Sequence, residues 1–268
     1  MTRVIAVASG KGGVGKTTVA ANLGIALSLL GEDVLILDMD INMANLELIL
    51  GLEGKPVTLQ DVLAGKENIY NAIYEGPGGV RIVPAGLSLA NLKYVKRKRM
   101  EEVFENLIGN MDILLIDSPA GLERDALAAM TPADEMILVT TPEITAITDT
   151  LKTRIVADRM DIDILGVVLN RNLTHEEFLT PDEVEAILEV PILSIIPEDP
   201  DFGYFYTTGD PIITEDPESQ VTIAIMELAA CLIDAEYTPP ETDKKGFVSR
   251  FVDNLMGVSM KTRRQRAK

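Results

Sequence analysis

Tryptophan is absent from the 268-residue chain, cysteine and histidine occur once each, and aromatic residues make up 4%. The one cysteine, Cys231, excludes an intrachain disulfide, a CxxC zinc site and a cysteine-held iron–sulfur cluster within one chain. The one histidine, His175, argues against a zinc enzyme, which needs several imidazole or thiolate ligands. No stretch approaches the ~18 consecutive apolar residues of a membrane-spanning helix. The first residues, Met1 to Ser9, lack the long apolar core of a signal peptide and run straight into a glycine loop. A cytoplasmic protein is therefore expected. Positive charge is also scarce, with 24 Lys and Arg against 42 Asp and Glu and a formal net charge of −18. Eight of those cations crowd into residues 244–268 against Asp253, a local charge of +7, so residues 1–243 hold −25. A body that acidic repels nucleic acid, and no specific nucleic-acid partner is expected. The basic end needs its own explanation.

Apolar residues account for 47% of the chain, enough for a substantial core. Strand-length apolar runs recur at Arg3–Ser9, Asp33–Asp38, Val80–Pro84, Asp112–Asp117, Glu135–Thr141, Asp163–Asn170 and Pro191–Pro197. Between most of them lie helix-period segments, among them Lys16–Leu30, Arg97–Ile108, Ala146–Met160 and Pro181–Leu188. Strands rich in Val, Ile and Leu on both faces, alternating with helices, predict an α/β fold: a mostly parallel, doubly wound sheet with helices on both faces. A last body helix is expected over about Glu218–Ala235, with Cys231 as a small hydrophobe near its core. Two prolines in the polar stretch 236–243 read as a semi-rigid linker. The chain thus divides into a domain at 1–235, a linker at 236–243 and a basic, amphipathic segment at 244–268.

Gly10 to Thr17 satisfies G-x-x-x-x-G-K-[ST] after an apolar strand and at the opening of a helix, the context a phosphate-binding loop requires. Its glycines let backbone N–H groups converge on phosphate oxygens at a helix N-terminus. The candidate nucleotide-binding residues are Gly10, Lys11, Gly12, Gly13, Val14, Gly15, Lys16, Thr17 and Thr18. Lys16 is expected to reach the β- and γ-phosphates of ATP or ADP, with the Thr17 hydroxyl on Mg²⁺. Lys11 can satisfy its charge on a phosphate, on a nearby carboxylate, or on a neighbouring subunit's nucleotide.

Asp38 and Asp117 each end an apolar strand and so project at the carboxyl edge of the sheet, where α/β folds bind ligands. Both suit the surroundings of Mg²⁺. Asp40, two residues on, can orient the attacking water, because phosphoryl transfer depends mainly on positioning and charge neutralisation. The alternative is that Asp38 or Asp40 caps a helix at Met43–Leu50. The cluster Lys93, Lys96, Arg97, Lys98 and Arg99 reads as a solvated or salt-bridged helix start, with a partner or lipid contact as the other reading. His175, without a Cys or His companion, reads as a surface residue.

Several of these segments resemble the "deviant" Walker A ATPases of the MinD/ParA family. The loop Lys11-Gly-Gly-Val-Gly-Lys-Thr is similar to the family's signature, in which the early lysine reaches across a nucleotide-sandwich dimer. Leu35–Glu47 resembles its first switch and Leu114–Gly121 its Walker B and second switch, although Glu47 stands where Asp is common. Val167–Arg171 and Ile196–Asp199 occupy the places of the adenine segments, which implies base-side roles for Asn170, Arg171, Pro197, Glu198 and Asp199. Asp117-Ser-Pro-Ala-Gly121, Pro197-Glu-Asp199 and Pro142–Asp149 point to the MinD branch. Lys244–Phe251 is similar to that branch's membrane-targeting sequence, with an extension to Lys268 that a minimal targeting helix would not need. The resemblance implies a Mg²⁺-dependent ATPase that acts as a spatial switch, as in cell division. It would be a homodimer when bound to ATP and peripheral on the inner face of an anionic membrane through residues 247–268. Lys11, Lys16 and Asp40 would be its catalytic residues, and a protein activator or cargo adaptor would complete the system. The competing reading is a ParA-like DNA- or cargo-partitioning ATPase.

Overall fold

The computed structural model describes residues 1–41, 44–86, 97–173, 178–199 and 208–240. Met1–Tyr237 forms one compact unit, and Thr238–Lys268 a second, of which 238–240 are described as neither helix nor strand.

Eight strands build one sheet in the first unit: β1 (Arg3–Ala8), β2 (Val34–Asp38), β3 (Tyr74–Glu75), β4 (Arg81–Val83), β5 (Ile113–Asp117), β6 (Glu135–Thr140), β7 (Asp163–Asn172) and β8 (Ile192–Pro197). Their order across the sheet is β3-β4-β2-β5-β1-β6-β7-β8. Every pairing is parallel except β3 with β4. The central strands are buried from end to end because both faces are covered. Successive side chains point to opposite faces, and the core splits accordingly. Val4, Ala6, Leu35, Leu37, Leu114 and Ile116 lie in one apolar layer, and Ile5, Val7, Val34, Ile36, Ile113 and Leu115 in the other.

The second layer is closed by α1 (Lys16–Leu29), α2 (Leu46–Ile49), α8 (Ile212–Glu215) and α9 (Gln220–Leu232). The first is closed by α3 (Leu59–Leu63), α4 (Arg97–Leu107), α5 (Arg124–Met130), α6 (Ile144–Arg159) and α7 (Pro181–Leu188). α1 has apolar residues nearly all round, so it is wedged between the sheet and α9 rather than lying on the surface. Arg3 fastens the start of the sheet, donating through Nε and a terminal nitrogen to Glu135 (2.9 and 3.1 Å) and through the other terminal nitrogen to the Leu232 carbonyl (2.5 Å).

The mostly parallel, two-faced sheet agrees with the sequence-based expectation, with two differences and one alternative set aside. The antiparallel edge strand β3 and the short helices α2, α3, α5 and α8 span too few residues to display a period. Asn45, not Asp38 or Asp40, stands at the N-cap position of α2, without a side-chain cap hydrogen bond. Cys231 is exposed, not in the core, because Val221, Ile225, Leu228 and Ala229 form the buried stripe of α9 and Cys231 lies off it. In the basic cluster, Lys98 and Arg99 pair with Glu102 (3.9 and 3.0 Å), the salt-bridged reading. Lys93, Lys96, His175 and residues 241–268 lie outside the described residues, as does the side chain of Arg97.

Candidate functional site

The loop between β1 and α1 leaves the sheet at its carboxyl edge. Gly13 and Gly15 take φ of +83° and +89°, a region that favours glycine. Gly15 caps α1 with no side-chain hydrogen bond, so the first-turn N–H groups have no side-chain partner and face the loop as anion donors. Two contacts hold the loop from outside. Val14 is buried in the α1-side layer, and Gly10 abuts the Asp149–Thr150 backbone of α6 so closely that no Cβ would fit. Lys11, Gly12 and Gly13 are exposed, while the Lys11 carbonyl accepts from Ser9 Oγ (3.1 Å). Thr17 and Thr18 are half-buried at the start of α1.

Strand periodicity brings the carboxylates to the lysine. Ile113 and Leu115 of β5 face α1, and so, two residues on, does Asp117; Val34 and Ile36 place Asp38 likewise on β2. Asp38 and Asp117 are register partners on neighbouring strands, both fully buried. Lys16 Nζ donates to Asp117 Oδ1 at 2.5 Å and to Thr17 Oγ1 at 3.3 Å. Asp38 Oδ1 accepts from the Asp40 backbone N–H (3.0 Å). Burial raises the Asp38 carboxyl well above its ordinary value, and the Asp117 charge adds to this; the Asp40 N–H and Lys16 oppose it. Asp38 Oδ2 and Asp117 Oδ2 are buried without a hydrogen-bond partner. Two such oxygens beside a lysine and a threonine hydroxyl fit a hydrated Mg²⁺ carried by a nucleotide, which takes few protein ligands and keeps its waters. Among the described residues no three His, Cys, Asp or Glu could hold a metal on their own, so such an ion would depend on the phosphates.

The residues expected on the base side sit at the carboxyl ends of β7 and β8. Asn170 is buried, and its amide nitrogen donates to the Val14 carbonyl of the loop (2.8 Å). Arg171 has φ +53° and lies 3.8 Å from Glu198, whose N–H donates to the Asn172 carbonyl (3.4 Å). Pro197 is the register partner of Asn172, and Asp199 accepts from Ser219 Oγ (3.4 Å). Lys16, Thr17, Asp38 and Asp117 thus form one cluster joined to Asp40 through its backbone. Asn170 meets the loop from the other side.

Three anchoring contacts had no role in the sequence reading. Ser118 Oγ donates to the Val7 carbonyl (2.9 Å) and the Gly121 N–H to the Ser9 carbonyl (2.8 Å), tying the segment after β5 to the root of the loop. The third is the contact of α6 with Gly10. Asp117-Ser-Pro-Ala-Gly121 was visible as a motif; nothing in the sequence signals the α6 contact.

Comparison with known proteins places this arrangement among relatives. A family model described as "ParA: NUBPL iron-transfer P-loop NTPase" matches residues 1–233. An uncharacterised ATP-binding protein of Methanocaldococcus jannaschii is 47% identical over 258 residues, which are 96% of this chain and 98% of that protein. The septum site-determining protein MinD of Thermotoga maritima is 34% identical over 98% of this chain and 100% of its own. The solved structure of MinD complexed with Mg-ADP from Pyrococcus horikoshii superposes with a TM-score of 0.83 at 40% identity. That match covers 88% of this chain and 100% of the other.

Proposed function

This chain belongs to the ParA/MinD family of P-loop ATP hydrolases, in its MinD branch, and from that premise we propose a nucleotide-driven spatial-positioning switch. ATP would bind at Gly10–Thr18 and assemble two copies, the dimer would settle on an anionic membrane through residues 247–268, and hydrolysis would release it. The observation that carries the nucleotide half of this reading is the buried Lys16–Asp117 pair beside two partnerless carboxylate oxygens at the mouth of the loop.

The residues act mainly by position. The loop N–H groups and Lys16 would bind and orient the phosphates; Thr17, Asp38 and Asp117 would hold Mg²⁺, which supplies charge neutralisation at the phosphates when bound. Lys16 must then leave Asp117 for the phosphate. Asp40 would hold the attacking water in line. Exposed Lys11 would reach the partner copy's nucleotide. Pro197–Asp199 and Arg171 would border the base. An iron-carrier role is not adopted: bridging a cluster takes thiolates, and the chain supplies Cys231 alone, on the last body helix.

Sedimentation velocity with ATP or ADP tests the switch. Asp40→Ala should bind ATP and accumulate as a dimer with ATP but not ADP, and adding Lys11→Ala should return it to monomer. A dimer that persists without Lys11 would remove the lysine from the interface. Hydrolysis by Asp40→Ala at the parent rate would remove the water-orienting role.

A further inference from the structure

We propose that Asn170 is a positioning residue for phosphate binding: from β7 it sets the orientation of the Val14–Gly15 peptide and so pre-forms the loop before any base arrives. This rests on the reading that Gly10–Thr18 binds the phosphates of a nucleotide.

The Val14 carbonyl can only accept, so the Asn170 amide must face it with nitrogen, and Nδ2 lies 2.8 Å away. Both residues are buried, Asn170 7% and Val14 4% exposed, which keeps water from competing for the bond. Nδ2 also fills the space a Cβ on Gly15 would need, so this contact depends on the glycine's missing side chain. In a trans peptide the C=O and the following N–H point in opposite directions. Drawing the Val14 carbonyl toward β7 therefore turns the Gly15 N–H away from β7, into the concavity of the loop. The partners are 156 residues apart in sequence. Both ends of the bond belong to the chain itself, so the cost of ordering this part of the loop is met in the fold and not at binding. The remaining amide atom, Oδ1, has no hydrogen bond among the described residues.

A ligand without a base separates this role from simple recognition of adenine. Calorimetric titration of the full chain with Mg-tripolyphosphate and with Mg-ADP should show both binding the parent protein. Asn170→Leu keeps the shape and deletes the donor. It should weaken both ligands about tenfold, equivalent to about 1.4 kcal/mol. Amide hydrogen exchange over residues 10–18 of the ligand-free chain should quicken while the other strands keep their protection. Asn170→Ala, smaller than the native residue, supplies the same comparison should the leucine variant not fold. Undiminished tripolyphosphate affinity alongside weakened ADP binding would reduce Asn170 to a base contact and overturn the proposal. So would a parent protein that binds Mg-ADP but not tripolyphosphate. A parent protein that binds neither overturns the phosphate-site reading itself.

Discussion

Burial and the neighbouring Asp117 both raise the Asp38 carboxyl above its ordinary value, and the Asp40 N–H and Lys16 only partly offset them. The folded, nucleotide-free chain therefore holds a proton on Asp38 at pH values where the unfolded chain has released it. Linkage gives the sign. Stability from this group is fully present below the unfolded value, about 3.9, and is lost as pH rises toward the higher folded value. Near neutral pH the ligand-free protein tolerates two adjacent buried acids with one lysine between them. Asp38→Asn relieves that conflict. It should raise the melting temperature of the ligand-free chain at neutral pH, by about 2–4 °C for each kcal/mol of repulsion removed. The difference should close as pH falls toward 4. Mg-ADP should stabilise the parent more than the variant, because the neutral amide offers the ligand's Mg²⁺ no counter-charge where the Asp38 carboxylate does. Scanning calorimetry of both proteins between pH 4.5 and 8 provides the check. A parent more stable than Asp38→Asn at neutral pH without ligand would mean that the second carboxylate is not a burden on the fold.

At the scale of elements, the proposed phosphate loop is braced from both faces of the sheet, by α6 at Gly10 and by the α1-side layer at Val14. Gly10 meets the backbone of α6 at Asp149–Thr150, whereas at Gly12 a Cβ would find nothing within 4 Å. Two glycines two residues apart in a motif thus have different jobs. Gly10→Ala must push β1 and α6 apart, which costs about 1–3 kcal/mol or more by the usual scale of overpacking, and should weaken Mg-ADP binding with it. Gly12→Ala should leave the melting temperature at the parent value. Thermal unfolding and calorimetric binding of the pair decide this, and equal stability of the two variants would deny the brace. The sequence announced the loop, because Gly10–Thr17 is local and its residue types are dictated by phosphate geometry. It also announced where Asp38 and Asp117 project, because two-residue periodicity sets a side chain's face. It did not announce that Asn170 spends its donor on Val14, since that bond joins segments far apart along the chain. Nor did it place Cys231 outside the core, because the packing of α9 against α1 decides which side of that helix is buried.

For the molecule as a whole, the separation of charge suggests how nucleotide state could govern a membrane contact. Residues 1–243 hold −25 and residues 244–268 hold +7. Among the described residues no helix is long and apolar enough to cross a membrane. On a helical wheel Phe247, Val248, Phe251, Val252, Leu255, Met256 and Val258 fall within about half the circumference. As a helix, the twelve residues 247–258 would span about 18 Å, enough to lie in a bilayer interface but not to cross it. Full burial of six or seven such side chains yields roughly 10–15 kcal/mol. An interfacial helix realises about half of that, and ordering its twelve residues opposes it at roughly 1–2 kcal/mol each. Lys244, Lys245, Lys261, Arg263, Arg264 and Arg266 add up to about 1 kcal/mol each near anionic lipid, less after screening by salt. One segment should therefore bind weakly. Two segments on the proposed ATP-assembled dimer would gain effective concentration, which would raise avidity by about 10²–10⁴ with no new contact. The full chain should co-sediment with anionic liposomes in ATP or a non-hydrolysable analogue, but not in ADP. Deleting residues 244–268 should abolish that and leave ATP binding intact; Phe251→Glu should do the same. High salt should weaken lipid binding without eliminating it, since the apolar share is not screened. Binding to DNA in place of liposomes, falling steeply with salt, would favour the partitioning reading. Lipid binding that survives both the deletion and Phe251→Glu would move the membrane contact to the acidic body, where the charge opposes it.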